Sequence, residues 1–165
     1  MSEANPVNLP LALGCVEYEM HVLAMALLMR RDGSPSDARF PEAVSELVAT
    51  ALLVKARSLV EFLTRRPNAK GITLENFGIP HRNDPVLKEF YGFVCNHSVH
   101  LDRKRASDPL VLRATKYQEA LYVLRECANA CNEIRKKGVR LSSRRHRERH
   151  EVLRAQLALL GIEST

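Results

Sequence analysis

The amino-acid sequence predicts an all-α fold, an antiparallel up-and-down bundle of four to five helices. Three observations carry that prediction. Apolar residues recur at helical spacing over long segments, Asp-Pro pairs and glycines punctuate those segments, and strand-like alternation is scarce. A chain of 165 residues is long enough to bury a core without disulfide or metal staples.

The first helix is predicted from about Leu9 to Arg31, where Leu13, Val16, Met20, Leu23 and Leu27 fall on one face and Gly33 and Pro35 break the run. The second begins between Asp37 and Pro41 and continues to Arg66, before Pro67. Its stripe is Val44, Val48, Leu52, Leu59 and Phe62. A connector from Pro67 to Asn83 holds one helical turn after Thr73. The third helix starts at Asp84-Pro85, a capping side chain followed by proline at the first helical position, and reaches about Arg105. The fourth repeats the device at Asp108-Pro109 and ends at Gly138. Its line Leu110, Ala114, Tyr117, Leu121, Leu124, Ala128, Cys131 alternates steps of four and three, which is bundle spacing. A fifth helix starts at Ser142 or Ser143 and stops at Gly161, with Val152, Leu153, Leu157 and Leu160 as its apolar side. Helices two and four are expected at the centre. Residues 1–138 form the bundle, and residues 139–165 a basic helix belonging to it or appended.

Composition narrows the function. Aromatic residues make up 5% of the chain and tryptophan is absent, which argues against a base-stacking platform. Cys15, Cys95, Cys127 and Cys131 are too sparse for a disulfide framework, so reduced thiols are expected. The start has no basic lead, and Pro6 and Pro10 interrupt its apolar stretch. "LALGC", ending at Cys15, has the look of a lipoprotein cleavage box without the cations that precede one. The longest uncharged helical run, Met20 to Met29, is short for a bilayer. A cytoplasmic protein with no membrane partner is expected. The formal charge of +6 is concentrated between Arg135 and Arg154, where nine basic residues face two acidic ones. Arg140, Arg144, Arg145, Arg147 and Arg149 are therefore candidates for contacting RNA or another polyanion. A solvated, solubilising surface is the plain alternative.

The other polar stretch is "FVCNHSVHLDRKR", Phe93 to Arg105. His97 falls on the apolar line of the third helix. Asn96 and His100, four apart, share the neighbouring face, with Arg103 and Lys104 one turn on. An imidazole beside an amide and cations can act as acid or base, its neutral form favoured by the cations. Histidines hydrogen-bonded across a helix interface explain the same residues. Cys95, His97 and His100 point in different directions on a helix. No paired Cys-x-x-Cys, Glu-x-x-His, phosphate loop or nucleophile elbow occurs, so no metal and no cofactor are expected.

These segments also resemble a group of small bacterial HEPN-like helical proteins. The resemblance runs over residues 17–105: "EYEM" at Glu17–Met20, "ALLVKARSLVEFL" at Ala51–Leu63, "ITLENF" at Ile72–Phe77 and "NHSVHLDRKR" at Asn96–Arg105. Its matching positions are Arg57, Leu59, Phe62, Phe77, Asn96, His100, Leu101 and Arg105. The resemblance implies a bundle of four or five helices, a homodimer, and in many members metal-independent RNA cleavage by an Arg and a His separated by four to six residues. Here Phe93, Val94 and Cys95 stand where that Arg would precede His100. The spacing recurs at Arg145 and His150, in a tail rich in both residue types. Three functions follow as expectations. The first is a helical module for dimerisation or partner binding, as in a toxin-antitoxin pair or a defence component, with a protein antitoxin as one partner. The second is a ribonuclease with His100 as acid-base group, Asn96 orienting it, and Arg57 or Arg105 stabilising charge. The third is nucleic-acid binding through the basic segment.

Overall fold

Apolar side chains at helical spacing drive the architecture, and among the described residues they do so in five α-helices. The computed structural model describes residues 7–31, 41–65, 71–98 and 116–162, with side chains throughout these except at 41–46 and 96–98. Among the described residues the elements are α1 (Leu9–Arg31), α2 (Pro41–Thr64), a 3₁₀ turn (Leu74–Phe77), α3 (Pro85–Ser98), α4 (Tyr117–Lys136) and α5 (Arg144–Leu159), with no strand. The all-α expectation holds. The segments around Asp37, Asp108-Pro109 and residues 99–115 lie outside the described residues.

The predicted helix boundaries hold where local chemistry sets them. Asp84 caps α3: its Oδ1 accepts from the N–H groups of Val86 (2.7 Å) and Leu87 (3.3 Å), two donors the helix cannot satisfy itself. Ser143 caps α5 by accepting from the His146 N–H at 3.2 Å. Gly138 and Gly161 follow α4 and α5 with φ of 88° and 70°, in the left-handed region that a side chain disfavours. α2 ends at Thr64, short of the expected Arg66.

The core is continuous across all five helices. Leu13, Met20, Leu23 and Leu27 of α1 meet Leu59 and Leu63 of α2, Phe90 of α3, Leu124 and Ile134 of α4, and Leu153 of α5, all fully buried. Two expectations are corrected here. α1 is as central as α2, because it packs against α2, α4 and α5, whereas α2 packs against α1, α3 and α4. α4 buries more than one seam: Ala120, Val123, Cys127 and Ala130 are buried beside the predicted Leu124, Ala128 and Cys131, since both α1 and α2 press on it. α5 docks on α1 through Leu153 and Leu157. The approach is close at Gly14, where a Cβ would stand 2.7 Å from the His146 ring. That contact explains a glycine in mid-helix, where alanine is otherwise preferred by about 1 kcal/mol.

α1 taken whole is long and apolar enough to cross a membrane by length and composition, unlike the Met20–Met29 run alone. Over half of its apolar window, 56%, is buried inside the fold, as a core helix would be.

Candidate functional site

Of the four residues expected to form a catalytic patch, Arg57 is the one whose side chain is described. His100 and Arg105 lie outside the described residues. Asn96 lies in α3, its side chain outside them. Arg57 is committed elsewhere. Its Nε donates to Oε1 of Glu61, four residues on, at 3.2 Å. Glu61 also accepts from the Tyr91 hydroxyl at 2.8 Å and pairs with Arg65 at 3.2 Å. The hydrogen bond to Glu61 holds the Arg57 guanidinium above its usual value, and Cys95 of α3 adds to the effect. Glu61 thus ties α2 to α3 through Tyr91, and Arg57 is paired with that carboxylate within α2.

The basic segment is arranged unevenly. Arg140, Arg144, Arg145 and Arg147 are exposed. Arg144 pairs with Glu148 at 2.7 Å, while Arg140, Arg145 and Arg147 have no partner among the described residues. Arg149 departs from expectation: it is half-buried, with its guanidinium 4.7 Å from the centre of the Tyr18 ring on α1. No acidic residue stands in the first turn of α5, where the helix dipole favours one. Arg144, Arg145 and Arg147 instead add positive charge to an end that is already positive.

A third cluster joins three helices and was not anticipated. Glu17 on α1 is 2% exposed, among the apolar core residues. One guanidinium nitrogen of Arg135, on α4, donates to its Oε1. The same nitrogen lies 2.9 Å from Nδ1 of His150, on α5. A guanidinium can only donate, so Nδ1 accepts and the imidazole proton sits on Nε2. Burial first, then the nearby Arg135, holds the His150 pKa below its usual value, consistent with a neutral ring. His150 Nδ1 also lies 3.4 Å from Glu17 Oε1, a contact that becomes an ion pair only if the ring gains a proton and Arg135 releases it. Desolvation likewise lowers the Arg135 pKa. Glu17 Oε2 is buried and has no hydrogen-bond partner among the described residues. A cavity of about 210 Å³ opens beside the cluster, with Asn132 and Arg154 completing its polar side. The signal for this site was one of two glutamates, Glu17 and Glu19, that flank the core stripe of α1. Its partners are 118 residues away on α4 and 15 residues further on α5.

Comparison with protein-family models, curated proteins and solved structures finds no match to this chain. Among the described residues no group of three or more His, Cys, Asp or Glu side chains converges to hold a metal ion. The four cysteines are free. Burial drives the Cys127 and Cys131 thiols well above their usual range, while Cys15 is exposed.

Proposed function

We propose that this protein binds nucleic acid through the phosphate backbone, using the surface formed by the loop before α5 and its first turns. One observation carries the reading: Arg140, Arg145 and Arg147 are exposed and unneutralised beside a helix N-terminus. Helix stability gains nothing from that placement, because each cation there opposes the dipole by some tenths of a kcal/mol. A row of phosphates gains from it, because arginine forks and free backbone N–H groups at a helix start both donate to phosphate oxygens. With few aromatic residues in the chain, recognition is of charge rather than base sequence.

The test separates local charge from net charge. Arg145→Gln with Arg147→Gln removes two cations from α5. Lys88→Gln with Arg125→Gln removes two from exposed positions on α3 and α4. Anisotropy with a labelled single-stranded RNA should show weakened binding for the first pair and near-normal binding for the second. Equal losses would reduce the effect to overall charge and defeat the proposal. Binding to an acidic protein in place of RNA would reassign the surface.

A further inference from the structure

α1 is apolar on two opposite sides. Its inner side builds the core. Its outer side carries Leu11, Cys15, Tyr18, Val22, Met25 and Met29, spaced four, three, four, three, four. Leu11 is 49% exposed, Tyr18 42% and Met25 44%; Cys15 is exposed, and Val22 and Met29 are half-buried. At about 100° per residue these six fall in a band roughly 80° wide and about 27 Å long, centred nearly opposite Met20 and Leu27. Polarity therefore barely varies around the helix, which is the pattern of a helix covered on all sides.

The outer band continues onto α5. Arg149 and Gln156 lie on one stripe of α5 and touch α1 at Tyr18 and His21. Val152 and Leu159 on the same stripe are 50% and 61% exposed. Together with the α1 band they offer apolar surface on the order of 600 Å², at the upper end of what a monomer leaves bare. With the polar rim of Lys55, Arg149 and Gln156 this approaches the roughly 800 Å² per partner of a stable interface.

We infer that the outer face of α1 pairs with the same face of a second copy of this chain, the two helices antiparallel about a two-fold axis near Met20. Three features select that occupant. The spacing is palindromic, so an antiparallel copy brings every layer into register: Leu11 meets the other copy's position 29, Cys15 its position 25, and Tyr18 its position 22. Within the inner layers a small side chain faces a large one, Cys15 against methionine and Val22 against tyrosine, which is how helix layers interdigitate. A helix lying in a bilayer surface sets one apolar face against a strongly charged one, whereas α1 is apolar on both sides. A two-fold axis lying in this interface and crossing α1 keeps the two α5 helices on the same side of the dimer. Because α5 runs alongside α1, with His146 beside Gly14 and Gln156 beside His21, their basic ends lie toward opposite ends of the seam, about 18 Å or more apart along the axis. At that separation, beyond the Debye length of about 10 Å, dimerisation is expected to respond little to salt while RNA binding weakens.

Sedimentation of the full chain, with Met25→Glu and Met25→Cys variants in a Cys95→Ser background, tests this. The unsubstituted chain is expected to sediment as a dimer. Met25→Glu, a change on an exposed residue, is expected to yield a monomer that keeps the parent's helical circular-dichroism spectrum and whose unfolding no longer depends on protein concentration. Under mild oxidation Met25→Cys is expected to give a covalent dimer whose peptide map joins position 15 to position 25. Ready joining of Cys15 to Cys15 would instead mean a parallel arrangement, since the antiparallel one holds those thiols about 15 Å apart along the axis. That result overturns the inference, as does a monomer at all concentrations or a dimer that persists in Met25→Glu. A monomer that floats with phosphatidylcholine–phosphatidylserine vesicles, and loses them in Met25→Glu, assigns the face to a membrane and equally overturns it.

Discussion

Replacing Arg135 with methionine strips Glu17 of its cation while keeping side-chain length. Glu17 is 2% exposed, and Arg135 is the cation that meets its carboxylate. Breaking a buried pair from one side costs about 3–5 kcal/mol, because an uncompensated charge stays behind. The opposite truncation, Glu17→Met, should cost less, about 1–2 kcal/mol, since the Arg135 side chain is 28% exposed and can turn toward solvent. The double variant should return to within about 1 kcal/mol of the parent, because two methionines suit the surrounding core. pH supplies an independent signature. A carboxyl left unpaired in apolar surroundings favours its neutral form, so in Arg135→Met the cost should be largest at neutral pH and shrink in mild acid. Urea unfolding of all four proteins at both pH values measures this. A loss below about 1 kcal/mol for Arg135→Met at neutral pH, or the same loss at both, would refute a buried, arginine-dependent charge.

Three further outcomes follow from the same geometry. His150 is held neutral by burial, so the folded state binds its proton less readily than the unfolded chain. That contribution is complete above pH 6.5, the ordinary histidine value, and is lost as pH falls through the lower folded pKa; His150→Gln should flatten that part of a stability–pH curve. Asp84 accepts from the Tyr122 hydroxyl at 2.5 Å and holds its pKa up at about 12. Asp84→Ala should shift Tyr122 ionisation down toward 10, read by ultraviolet titration, and cost about 1–2 kcal/mol through loss of the cap on α3. Gly14→Ala should disturb the docking of α5, because its Cβ would meet the His146 ring. In a His146→Ala background the same change should stabilise by up to about 1 kcal/mol, as measured by thermal unfolding.

What could be read from the sequence was the local chemistry. Asp84-Pro85, Ser143, Gly138 and Gly161 set helix ends by contacts within a few residues, so their neighbours alone identified them. The inner stripe of α1 was equally plain. Its outer stripe was not, because one apolar face is enough to explain a bundle helix and a second is noticed only when the first is seen to be filled. The partner of Arg57 is legible four residues away at Glu61, a spacing that brings the two side chains together on one helix face. Glu17, Arg135 and His150 could not be joined beforehand. They come from three helices, and no local pattern fixes how α5 rotates on α1. Arg149 was grouped with the phosphate-facing arginines for the same reason, although the tertiary contact turns it onto Tyr18.

The salt dependence of RNA binding tests the central claim most directly. With a single-stranded RNA, log K should fall linearly with log salt, with a slope near −0.7 for each phosphate contacted. Replacing Arg140, Arg145 and Arg147 together by glutamine should make that slope shallower by about 2 units. A slope near zero for the unsubstituted chain, or one the triple replacement leaves unchanged, would contradict phosphate recognition at the start of α5.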